Sequence, residues 1–192
     1  MKRIIENLAE ILTKDHKEEK EVVTYGLTMA MEIFLNILTT IIIAVLFGMI
    51  VETMMFSISF FLLRSYSGGI HARNGMECYF YSTLMIVVVL SLQKFEIWGA
   101  EFNNLAICTG VLVILAIAPI GDKNKPLDRV EKKRYRKKVY QILFIIVLVY
   151  AISSVFVVEK ITTAISIAIL VISVSLILGK IKNSFSEKGF LI

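Results

Sequence analysis

Only two prolines, two cysteines and two histidines occur among 192 residues. Two cysteines cannot build a disulfide framework. With His16 on the N-terminal arm, the histidines are too few and too scattered to hold zinc with ligands of the usual number and type. No metal or other cofactor is therefore expected. Also missing are the alternating pattern of a membrane β-barrel, an internal repeat, a low-complexity tract and a soluble domain. The start, "MKRIIENLAEILTKDHKEEK", lacks the long apolar centre and small-residue cleavage site of a signal peptide. The chain reads as one domain, 1–192.

What remains is apolar. Hydrophobic residues make up 57% of the chain and the mean hydropathy is +0.76, too apolar for a soluble domain of this size. Backbone polar groups in lipid must be satisfied internally. The predicted fold class is an all-α integral membrane protein, with six helices near 22–47, 50–63, 79–95, 101–119, 139–158 and 161–179. The second segment is short for a crossing of about 30 Å; it is read as tilted, as thinning the bilayer, or as a half-span. Residues 1–21 carry Ile4, Ile5, Leu8, Ile11 and Leu12 at helical spacing between charges, the pattern of an amphipathic helix lying on the membrane surface.

Lys and Arg number 5 in the N-terminal arm, 2 in the loop 64–78, 9 in the loop 120–138 and 3 after residue 179, against 0, 1 and 1 in the connections between. Basic residues stay in the cytoplasm. The expectation is a multi-pass protein of the cell membrane with both termini and the 64–78 loop cytoplasmic. Most of the net charge of +5 then lies on one surface, read as facing anionic lipid or substrate before nucleic acid.

The stretch "RSYSGGIHARNGMECYFYS", 64–82, is where chemistry is expected. His71 and Cys78 are seven residues apart, about 10 Å along a continuous helix, so a working pair needs a break, which Gly68, Gly69 and Gly75 supply. Asn74 followed by Glu77 resembles a helix cap, placing Cys78 in the first turn of the third helix. There the helix end favours thiolate, the nucleophilic form. His71 is the expected general base and acid, backbone amides around Gly68 and Gly69 the oxyanion donors, and Arg64 a holder of substrate carboxylate. Taken singly, each residue also has a bland reading as packing, turn or interface. Cys108, well inside the fourth segment, is read as packing, and its depth argues against a disulfide with Cys78.

Arg64, Gly69, His71 and Cys78, ahead of a membrane helix, resemble the accessory gene regulator B family, the AgrB-type membrane endopeptidases of quorum sensing. "APIGDKNKPL", 118–127, is similar to that family's proline-flanked lysine loop, although Asp122 and Asn124 interrupt the lysine run. The resemblance implies a cysteine endopeptidase in which Cys78 attacks an AgrD-type propeptide, His71 moves the protons, and a thioester acyl-enzyme yields a cyclic thiolactone or lactone. It implies that Lys123 and Lys125 engage an acidic propeptide tail; the alternative is that they hold the loop inside and touch lipid. The competing function is a peptide exporter or membrane scaffold without catalysis.

Thr28, Glu32, Asn36 and Thr40 form a polar stripe on the first helix, with Glu32 expected near mid-membrane. It is read as joining helices or subunits, including a homodimer seam, ahead of lining a substrate cavity. Glu52 is expected to meet outer headgroups.

Overall fold

The computed structural model describes residues 7, 10, 11, 20–69, 75–95, 97–121 and 128–187. Among them there are six long helices and no strand: α1 (Lys20–Phe47), α2 (Ile50–Ser67), α3 (Gly75–Lys94), α4 (Ala100–Ile117), α5 (Arg129–Val155) and α6 (Glu159–Glu187). The protein is all-α, and α1, α3, α5 and most of α6 are long and apolar enough to cross a membrane. In the N-terminal arm, Asn7, Glu10 and Ile11 are helical and exposed, and Glu10 pairs with Lys20 at 3.7 Å; the rest of the arm lies outside the described residues.

Several helix ends differ from the sequence-based expectation. α2 runs four residues beyond 63, and its 18 residues span about 27 Å, close to a full crossing. The expected loop 64–78 thus shrinks, because its first and last four residues are helical. The expected basic loop 120–138 becomes largely the start of α5. Asp128 there accepts from the Arg129 amide at 2.7 Å, and the Glu131 carboxylate accepts from the Asp128 amide at 3.3 Å. This capping box satisfies donors that a helix start leaves open.

α6 lies at the centre. Residues 164–169, more than a full turn, are each at most 2% exposed, so the helix is enclosed on every side. Ala164, Ser166 and Ala168 keep it slim enough for neighbours to approach. On α4, Gly110 lies against Ile169 with no room for a methyl group. Leu63 of α2, Val139, Leu143, Ile146 and Tyr150 of α5, and Ile165, Ile169, Ile172 and Leu176 of α6 share one cluster. Ile43, Phe56, Ile86, Val89 and Leu90 bring α1, α2 and α3 onto Ala164, Ile167 and Ala168 in a second.

One buried polar group ties several elements together. Asn103, 5% exposed, accepts from Trp98 at 2.9 Å and from Ser166 at 2.6 Å, and donates to Thr163 at 3.0 Å. Asn103→Ala strips Trp98 of its acceptor where water is scarce. The variant is expected to lose about 1–2 kcal/mol, read as a lower unfolding midpoint in detergent, whereas an equally apolar change at exposed Leu105 should leave the midpoint in place.

Glu52 does not face headgroups. It is 4% exposed and meets Lys160 at 3.5 Å, because α2 and α6 start side by side and a buried carboxylate needs a partner.

Glu32 stands near one end of α3 and not beside its middle. Thr39 and Tyr79 are hydrogen-bonded at 2.8 Å, the Glu32 carboxylate abuts Gly75, and Lys94 lies over the Phe47 ring at 5.3 Å. α1 and α3 therefore run in the same direction, with Glu32 level with the first residue of α3. The reason is length: α1 has 28 residues, about 42 Å, and its first twelve extend past the start of α3. The stripe residues are half-buried while Ile33, Phe34, Ile37 and Leu38 are exposed, so Glu32 is engaged within its own chain.

Candidate functional site

At the end of α2 the backbone enters conformations open to glycine. Gly68 has φ 74 and ψ −152, a region almost closed to other residues, and Gly69 has φ 129. The Gly68 amide donates to the Arg64 carbonyl at 3.3 Å, closing the helix. Of the two amides expected to serve an oxyanion, Gly69's is the one not used by the helix end.

Arg64 folds back over this turn. Its Nη1 donates to the Gly68 carbonyl at 2.6 Å and to Ser175 Oγ of α6 at 2.9 Å. A side chain on Gly69 would strike the guanidinium and Ser175. Arg64 is a brace for the turn in this arrangement, a role beyond the substrate clamp expected from its charge.

The loop after α4 docks on the same turn. The chain leaves α4 through Pro119, the Ile120 amide donates to the Ser67 carbonyl at 3.0 Å, and the Ile120 carbonyl fills the space where a Gly68 side chain would stand. Asn183 Nδ2 of α6 donates to the Gly121 carbonyl at 2.9 Å. Arg136 Nε of α5 donates to the Ala118 carbonyl at 3.4 Å, and Tyr135 meets Tyr66 edge-on at 5.9 Å between centroids. The described parts of the two stretches singled out in the sequence, 64–69 and 118–121, thus meet at one end of the bundle.

Cys78 is the fourth residue of α3, hence in its first turn, and its thiol is free and exposed. At 100° per residue it lies on the side of Ser82 and Val89, away from the outward stripe of Met76, Phe80 and Leu84. Tyr79, the next residue, is tied to Thr39, and Ser82 Oγ donates to the Cys78 carbonyl at 2.7 Å. The partial positive charge of the helix start acts on this turn. Cys108 is free and also exposed, so it faces outward from the middle of α4 where internal packing was expected.

His71, Lys123 and Lys125 lie outside the described residues, as do His16 and Asn74. The chain on either side of them is placed: Gly69 and Gly75 flank His71, and Gly121 and Asp128 flank the lysines. Sequence reasoning missed Ser175, Asn183 and Ile120. Two of them are ordinary polar residues in a long helix, and the third acts through its backbone.

Three comparisons bear on this arrangement. The family model described as Accessory gene regulator B matches residues 1–178. Accessory gene regulator protein B of Staphylococcus aureus strain MW2 is 34% identical over 139 residues, 70% of either chain. Protein FsrB of Enterococcus faecalis is 26% identical over 194 aligned positions, covering 96% of this chain and 78% of that protein. No solved structure matches.

Proposed function

Because the chain belongs to the accessory gene regulator B family, we propose that it is the membrane cysteine endopeptidase of a quorum-sensing system, cutting an AgrD-type propeptide and closing the product into a ring. The observation that carries this reading is the exposed Cys78 thiol in the first turn of α3, beyond a glycine turn onto which the second loop is docked.

In this mechanism His71 accepts the Cys78 proton as sulfur attacks the scissile carbonyl. The oxyanion forms where the Gly69 amide can donate. Collapse expels the amine of the C-terminal fragment, which takes the proton from His71, and leaves a thioester between Cys78 and the N-terminal fragment. An internal thiol or hydroxyl of the bound peptide, deprotonated by His71, then attacks the thioester. Cys78 departs and recovers a proton, and a thiolactone or lactone is released. Water must be kept from the acyl-enzyme, and a site at the lipid boundary does this. Amide to thioester runs uphill, so loss of the tail fragment draws the reaction forward. Lys123 and Lys125 would hold an acidic tail. The basic arm, the α5 start and the glycine turn lie on the cytoplasmic side in this reading.

The test uses purified protein in liposomes with its cognate propeptide, analysed by mass spectrometry. The expected result is a Cys78 adduct with the mass of the N-terminal fragment. Intact peptide inside the vesicles with no adduct would favour the exporter instead.

A further inference from the structure

We propose that Ser175 and Asn183, on the Gly68 end of α6, are positioning residues that hold the turn preceding His71 and the loop preceding Lys123 in a fixed mutual placement. A peptide bridging the two then meets Cys78 with its scissile bond aligned. The inference rests on the peptidase reading above.

The two residues are eight apart on one helix, about 80° apart around its axis and so within one broad side of it, and both are half-buried. Their polar atoms reach outward, unlike Ser173, whose hydroxyl bonds the Leu170 carbonyl of its own helix at 2.7 Å. Ser175 Oγ accepts from the Arg64 Nη1 that also holds the Gly68 carbonyl. Asn183 Nδ2 holds the Gly121 carbonyl at 2.9 Å, two residues before Lys123. Between these anchors the turn and the loop are joined by the Ile120 amide and Ser67 carbonyl at 3.0 Å. α6 is enclosed over residues 164–169, so the helix that carries both side chains is itself anchored in the core, and the bonds of Ser175 and Asn183 extend that anchoring to its more exposed end. Each anchor has its own consequence: Ser175 acts through the turn that leads to His71 and should govern turnover, whereas Asn183 acts through the lysine loop and should govern binding of the tail.

Kinetics in liposomes test this with two peptides, the cognate propeptide and a version whose acidic tail residues are replaced by amides. Asn183→Leu keeps a similar volume and loses the donor without adding a charge that would itself repel an acidic tail. It should raise KM about tenfold for the acidic tail, the effect of one lost hydrogen bond, with kcat nearly unchanged and KM for the amide tail unmoved. Ser175→Ala should lower kcat about tenfold at constant KM, and Ser175→Thr should restore it. A merely structural role would reduce activity on both peptides in proportion to lost folded protein. A second readout is independent of catalysis: spin labels at Ser65→Cys and Asn124→Cys, in a Cys78→Ala, Cys108→Ala background, should give a broader distance distribution once Asn183→Leu is added. Unchanged kinetic constants, or an equal rise of KM for both peptides, would overturn the inference. If the wild type processes no peptide, the peptidase reading fails, and the label distances alone decide the positioning claim, an unbroadened distribution overturning it.

Discussion

Cys78→Ala is expected to abolish propeptide cleavage, by more than about 10³-fold as for other covalent nucleophiles, while the protein still inserts and unfolds at the wild-type midpoint. The thiol is exposed at a helix start, so its removal opens no cavity in the core. Cys78→Ser should be comparably inactive, since a hydroxyl lacks the low ionisation threshold of a thiol. His71→Ala should match it, because removing either partner of a nucleophile and base pair disables both. Cys108→Ala is the internal control: that thiol is free and exposed in mid-helix, and cleavage should continue at nearly the normal rate. Release of cyclic product and tail fragment, quantified by mass spectrometry, measures all four. Equal loss in the Cys78 and Cys108 variants would refute the assignment of the nucleophile.

The second large effect is expected at a residue that does no chemistry. Gly68→Ala places a methyl group against the Ile120 carbonyl, a backbone atom that cannot rotate away, at φ 74 and ψ −152. The conformation alone costs on the order of 1–3 kcal/mol for a residue with a Cβ, and the collision adds to it. The turn should shift, separating the Ser67 carbonyl from the Ile120 amide, with a fall in propeptide cleavage of at least about tenfold and a lower unfolding midpoint. Gly26→Ala provides the contrast. That glycine is helical with nothing near its missing Cβ, and alanine there should be neutral or stabilising by up to about 1 kcal/mol. Activity and thermal unfolding of the two variants side by side separate crowding at the turn from a general intolerance of substitution.

The six helices were legible because lipid leaves the backbone one economical solution, and apolar segments of sufficient length mark where it applies. Their ends were less so. Asp128 and Glu131 form a readable cap, yet the dense lysines and arginines that follow looked like a loop, and only the capping box shows where α5 begins. Glu52 looked like a headgroup neighbour because its partner, Lys160, is 108 positions away. The level of Glu32 against α3 was not legible, because α1 continues past the start of α3 and only the pairing of the two helices shows by how much. At the site, Cys78 in a first turn was anticipated from the residues before it. From its charge Arg64 reads as a clamp for a substrate carboxylate, but its bonds to Gly68 and Ser175 depend on α6 arriving from the other end of the chain.

The link between Ser67 and Ile120 runs from main chain to main chain, and this makes it silent in an alanine scan. Ile120→Ala retains the amide and should retain the link, so whatever it costs reports the packing of the side chain against the core and nothing of the link. Proline, which has no amide hydrogen, or a one-residue deletion in the loop would sever it at once. Tolerance of side-chain change at residue 120 is thus no measure of how tightly evolution must hold the chain's length there.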